Sequence, residues 1–163
     1  MTSNFSTARA PGNRLWRYGP VVIWMAFIFV ASTSALSASN TSGLSRRLLQ
    51  SFFSAPMDEE QFAFWHFLIR KFSHFAEYAV LALLLARAFA TSSLIVLRRR
   101  YARAALLLVA AYALLDEFHQ SFVPGRGASL YDSLIDIAGG AFALAFLSLF
   151  CALRKARAQG AKR

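Results

Sequence analysis

Apolar residues run along this chain in four blocks, at about residues 21–36, 72–90, 104–123 and 131–153, with polar stretches between them. A helix needs about 20 predominantly apolar residues to cross the hydrocarbon of a bilayer, so the pattern predicts four spanning helices. Arg9, Arg14 and Arg17 precede or enter the first block, and Trp16, Tyr18 and Trp24 stand where interfacial aromatics sit. A basic start, an apolar core and the small residues Ser34 and Ala35 also describe a cleavable signal peptide. The run that continues to Leu36 favours an uncleaved helix.

The polar stretches carry patterns of their own. Residues 34–43, SALSASNTSG, read as a loop. Leu44, Leu48, Leu49, Phe52 and Phe53 then recur near helical spacing with Arg46 and Arg47 between them, which predicts a short helix in the membrane interface, ended by Pro56. Asp58, Glu59 and Glu60 suit the first turn of a further helix, where carboxylates face the positive helix end. Phe62, Trp65, Phe67 and Leu68 on that helix favour lipid headgroups. Residues 92–103, with Arg98, Arg99, Arg100 and Arg103, read as a loop, and Pro124 to Gly127 as a tight turn. The expected fold is all-α and polytopic: four transmembrane helices with an amphipathic outer-face segment between helices one and two. Residues 1–17 form an N-terminal tail, 18–153 one membrane domain and 154–163 a basic tail.

Composition agrees. A chain that is 57% hydrophobic, with mean hydropathy +0.44, is too apolar for an ordinary soluble domain. The net charge of +10 would suit nucleic acid, but the Lys and Arg residues cluster at the ends of apolar blocks and form no continuous basic face. That is a topology signal, so no nucleic-acid partner is expected. Arg9, Arg14 and Arg17, the Arg98–Arg103 loop, and Arg154, Lys155 and Arg157 belong on the cytoplasmic side, which puts both termini inside. Arg46, Arg47, Arg70 and Lys71 run against that bias, although Asp58, Glu59 and Glu60 lie beside them. The single Cys151 excludes an internal disulfide and a cysteine-based zinc site.

The chemistry is concentrated in residues 114–140, LLDEFHQSFVPGRGASLYDSLIDIAGG, which hold half of the chain's eight acidic residues. Ionisable groups at the edge of lipid are costly to keep and mark a functional site by default. The predicted topology places the start of helix two, the end of helix three and the start of helix four at one membrane depth. Lys71, His74, Glu77 and Tyr78 come from the first of these, Glu117 and Gln120 from the second, and Asp132 and Asp136 from the third, with Arg126 in the turn between the last two. Lys71, His74 and Tyr78 share a helical face broadly, and Asp116 with Gln120 and Asp132 with Asp136 are each four apart. Asp116 and His119 are weaker candidates that fit the headgroup layer. Gly139 and Gly140 extend a small-residue face suited to close helix packing.

The same groups would also serve as ion pairs that hold helices in register, Lys71 or Arg70 with Glu77 or Glu117 and Arg126 with Asp132. No HExxH or paired-histidine spacing occurs, and no metal or other cofactor is expected. Ser73, Ser121 and Ser133 lack a nucleophile elbow. Glu117 and His74 remain candidates for an acid–base pair.

Three segments together resemble the signature of the VanZ-like family: RKFSHFAEYAVLALLL at 70–85, DEFHQSFVPGR at 116–126 and DSLIDIAGG at 132–140. The stretch WMAFIFVASTSALSAS resembles that family's first helix, and the likeness runs from about Trp24 to Leu147. The resemblance implies a small bacterial protein of the cytoplasmic (inner) membrane, in a family whose founding member is associated with teicoplanin resistance and for which no enzymatic activity is firmly established. It points to Lys71, His74, Glu77, Tyr78, Glu117, Gln120, Arg126, Asp132, Asp136 and Gly139. Three readings follow: an envelope protein binding membrane lipids or a lipid-linked or lipidated glycopeptide, an enzyme on a lipid-linked substrate using Glu117 and His74, and a structural partner forming a homo- or hetero-oligomer through helix four.

Overall fold

The computed structural model describes residues 14–33, 38–51, 57–123 and 129–161, with the side chains of residues 38–42 and 44 left aside. Six helices follow in order: α1 Arg14–Ala31, α2 Ala38–Gln50, α3 Glu59–Ala90, α4 Ile95–Arg99, α5 Tyr101–Gln120 and α6 Leu130–Gly160. No strand occurs among the described residues. Among the described residues three helices, α1, α3 and α6, are long and apolar enough to cross a membrane. The twenty residues of α5 carry Arg103, Asp116 and Glu117.

Helix α3 runs unbroken through what the sequence divides into an interfacial helix and a spanning helix. Arg70 and Lys71 look like a boundary because they are charged, but no glycine or proline occurs from residue 57 to 123, so nothing interrupts the backbone ladder. Asp58 caps the start, its side chain accepting from the Gln61 N–H at 2.7 Å. The 32 residues of α3 make about 48 Å of helix, more than hydrocarbon thickness requires. Its C-terminus stops at Thr91, whose hydroxyl and backbone N–H both turn back on the Arg87 carbonyl.

Other expectations shift as well. The loop expected at 34–43 is helical from Ala38 onward. Weak local propensity is overridden by docking on α3: Leu49 is buried, Arg46 pairs with Glu59 at 2.5 Å and lies over the Phe62 ring. Phe52, Phe53, Pro56 and the turn at 124–127 lie outside the described residues. The loop expected at 92–103 contains α4, and α5 starts at Tyr101. The first helix starts at Arg14, ahead of its apolar block, and α6 continues into the basic tail as far as Gly160.

Helix α1 contains Pro20, which has no N–H for the Trp16 carbonyl one turn back. Arg87 Nη2 donates to that carbonyl at 3.2 Å instead, tying the start of α1 to the end of α3. Tyr18 repeats the tie by donating to Ser92 Oγ. Ser32, just past α1, meets Asp116 near the end of α5. Thus α1 and α5 run one way, and α3 and α6 run the other.

The core lies where α3, α5 and α6 meet, around Tyr78, Leu81, Ala82, Leu85, Ala105, Val109, Ala113 and Leu144. A Cβ on Gly139 would stand 2.2 Å from the Phe75 carbonyl oxygen, so α3 and α6 touch backbone to backbone. Gly140 makes room for a side chain of α5, since a Cβ there would stand 2.8 Å from Val109 Cγ1. Large apolar side chains face outward, among them Phe72, Leu107, Phe118, Phe142 and Phe146. Polar side chains lie inside. An apolar exterior around a core that also buries Asp116, Glu117, Gln120, Ser133 and Asp136 suits lipid and not water.

Candidate functional site at the polar end of the bundle

The helix directions separate charge along the bundle. Arg14, Arg17, Arg87, Arg98, Arg99, Arg100, Arg103, Arg154, Lys155 and Arg157 belong to the end formed by the starts of α1 and α5 and the ends of α3 and α6. The carboxylates gather at the other end. On α5 one buried stripe changes character along its length, from Ala105, Val109 and Ala113 to Asp116, Glu117 and Gln120. On α6 the corresponding stripe starts polar, with Ser133 and Asp136, and continues through Gly139, Gly140 and Ala143. Close packing against the glycines therefore draws Asp136 into the interior.

Each acid is held differently. Lys71 Nζ pairs with Asp132 Oδ1, linking α3 to α6, and both side chains keep some contact with the surroundings. His74 Nδ1 stands 3.4 Å from Asp136 Oδ1, a close contact at the long edge of hydrogen bonding. Asp136 is fully buried. Glu117 Oε2 accepts from the Ser129 N–H at 2.7 Å, fastening the start of α6 to α5. Asp116 Oδ2 accepts from Ser32 Oγ at 2.8 Å and from Gln120 Nε2 at 2.9 Å. Tyr78 is completely buried with its ring near that of Tyr112, whose hydroxyl donates to the Met25 carbonyl at 2.6 Å.

Pairing does not use up this chemistry. Tyr78 Oη, Asp116 Oδ1, Glu117 Oε1 and both Asp136 oxygens are buried with no hydrogen-bond partner among the described residues. Buried polar atoms are nearly always bonded, so several unbonded ones in one place mark this end of the bundle as the candidate site. Among the described residues no group of three or more His, Cys, Asp or Glu is arranged to hold a metal ion.

Beside this network a cleft of about 230 Å³ opens between α1, α2 and α3. His74 and Glu77 belong to its lining, with His66, Arg70 and Ser73 from the same helix and Ser32 and Ser45 from its neighbours. The Glu77 backbone carbonyl accepts from Trp24 Nε1 at 2.9 Å, which holds α1 against α3 at this level.

The residues singled out in the sequence thus divide into groups. Lys71, His74, Asp132 and Asp136 come together across α3 and α6. Glu117 and Gln120 face the same end from α5, and Glu77 lines the cleft. Tyr78 sits in the core below, and Arg126 lies outside the described residues. Gly139 and Gly140 are buried against α3 and α5 of the same chain. Asp116 is no headgroup residue: only 3% of it is exposed. The i, i+4 pairing with Gln120 was its sequence signal. His119 is half-buried and packs on the Phe29 ring, with centroids 4.5 Å apart. Sequence reasoning missed Ser32, His66 and Ser73 as contributors and offered Arg70 only as an ion-pair partner. A lone serine at the end of an apolar run carries no signal of its own.

These features define an all-helical protein with membrane-type helices and a polar cluster at one end. A family model described as VanZ/LLP1 matches residues 18–151, and the chain belongs to that family. The match covers all three signature segments and extends beyond the likeness read from the sequence at both ends. No curated protein and no solved structure matches the chain.

Proposed function

We propose that this VanZ family member crosses the bacterial cytoplasmic membrane four times and binds envelope amphiphiles at an outward-facing polar site. Helix α5 serves as the fourth span. Its 20 residues give about 30 Å of helix. Its outer face is apolar at Leu107, Leu114, Leu115 and Phe118, while Asp116 and Glu117 point inward. The arginine-rich end then lies in the cytoplasm with both termini, and α2 rests on the outer surface.

The observation that carries the binding reading is the coexistence of unbonded buried carboxylates with a polar-lined cleft at the same end. An amphiphile would place its polar group there and its chains along the apolar exterior. A lipidated glycopeptide such as teicoplanin, or the envelope lipid it targets, has that form. An enzymatic reading is favoured by one contact: His74 both lines the cleft and touches Asp136, an arrangement in which a carboxylate orients an imidazole for proton transfer.

Teicoplanin and vancomycin susceptibility in a sensitive Gram-positive host tests the proposal, with wild type and Glu117→Gln at matched membrane levels. Selective protection against teicoplanin that the variant loses is the expected result. No protection from either protein would refute the resistance role and turn attention to native envelope lipids.

A further inference from the structure

We infer that the cleft between α1, α2 and α3 takes the phosphate group of an anionic membrane lipid. This rests on the amphiphile reading above and names the headgroup chemistry. Arg70 is the central observation. Its neighbour Lys71 is committed to Asp132, and Arg46 to Glu59, but Arg70 has no ion-pair or hydrogen-bond partner among the described residues. It lines the cleft together with two further nitrogen donors, His66 and His74, and with the hydroxyls of Ser45 and Ser73. Arginine is suited to phosphate because its planar fork donates two parallel bonds.

An ammonium group is the opposite alternative, since Glu77 also belongs to the lining. The count of donors decides against it. One arginine and two imidazoles face one carboxylate, and His74 stands between the cleft and the buried Asp136.

A lipid is indicated over free phosphate by the rest of the wall. Phe27, Ala31 and Ile69 form the apolar part of the lining, and Phe27 and Ile69 remain 47% and 44% exposed on the outside of the bundle. A phosphate seated at Arg70 would have apolar surface beside it for the first carbons of its chains. A volume of about 230 Å³ fits a headgroup and not a whole lipid.

The test uses the full chain purified in uncharged detergent, with binding followed by microscale thermophoresis. The probes are dioctanoyl phosphatidic acid, dioctanoylglycerol without phosphate, and inorganic phosphate. Saturable binding of the phosphatidic acid, with the other two much weaker, is expected. Arg70→Gln should weaken it about tenfold or more, as loss of a charged hydrogen-bond donor does. Glu77→Gln should tighten it severalfold, and Arg154→Gln at the opposite end should leave it unchanged. Size-exclusion profiles confirm that the variants are folded, and Arg70 lies on an exposed position. Equal binding of dioctanoylglycerol with no effect of Arg70→Gln overturns the phosphate inference and leaves the amphiphile reading standing. Inorganic phosphate binding as tightly as the phosphatidic acid overturns the lipid source. Tighter binding by Arg70→Gln and weaker by Glu77→Gln overturns the sign of the charge. If none of the three lipids or ions binds, the amphiphile reading loses its support as well.

Discussion

Gly139→Ala adds one methyl group where α3 and α6 approach each other closely, and its effect follows from geometry. The new Cβ would stand 2.2 Å from the Phe75 carbonyl oxygen and 2.9 Å from its carbon. Real Cβ atoms essentially never come within 3.0 Å, so α3 and α6 must separate by about 0.8 Å at this point. Both neighbouring atoms are backbone, so no rotamer change relieves the clash. Overpacking of this kind costs about 1–3 kcal/mol. At about 2–4 °C per kcal/mol for a chain of this size, melting should fall by roughly 2–12 °C. Gly43→Ala, at an exposed position of α2, is the matched control, because no other part of the protein lies within 4 Å of a Cβ there and alanine is the better helix former by about 0.5–1 kcal/mol. Thermal unfolding in detergent, read by size-exclusion with tryptophan fluorescence, compares the two. Equal melting of both variants would refute the backbone contact between α3 and α6.

Three other outcomes follow from the same contacts. Lys71→Met should destabilise by roughly 2–4 kcal/mol because it strands Asp132, and Lys71→Met with Asp132→Leu should recover most of the loss. A double variant no better than the single one, measured by denaturant or thermal unfolding, would show the pair is not coupled. Asp58→Ala should lower stability by about 1 kcal/mol through loss of the cap on α3, and an unchanged melting temperature would contradict it. Ser32→Ala removes one of two donors to buried Asp116 and should cost about 1–3 kcal/mol, while Thr33→Ala next to it, bonded only to a local carbonyl, should cost less; the reverse order would argue against a buried Asp116.

Much of this architecture is legible in the sequence, for identifiable reasons. The helix-sized apolar blocks carry the long helices, and the short connections between them carry the alternating helix directions. The gathering of Lys71, His74, Asp132 and Asp136 follows from that topology alone. The pairing of individual residues does not. Asp132 takes Lys71, where Arg126 was the candidate from sequence, and the choice depends on helix rotation that periodicity does not specify. Gly139 and Gly140 are readable as a packing face, but whether the face meets another chain or this one depends on tertiary contacts. The cleft at Arg70 is invisible from sequence because Phe27, Ala31, Ser32 and Ser45 in its wall come from the end of α1 and from α2, distant in the chain and individually ordinary.

Outward exposure of the polar end is the claim on which the functional account stands, and cysteine accessibility measures it directly. In a Cys151→Ala background, single cysteines at Ser73, in the cleft, and at Arg99, at the arginine-rich end, would be treated in intact cells with a membrane-impermeant maleimide. Ser73→Cys is expected to be labelled in intact cells and Arg99→Cys only after lysis. Labelling of Arg99→Cys in intact cells, with Ser73→Cys protected until lysis, would contradict it.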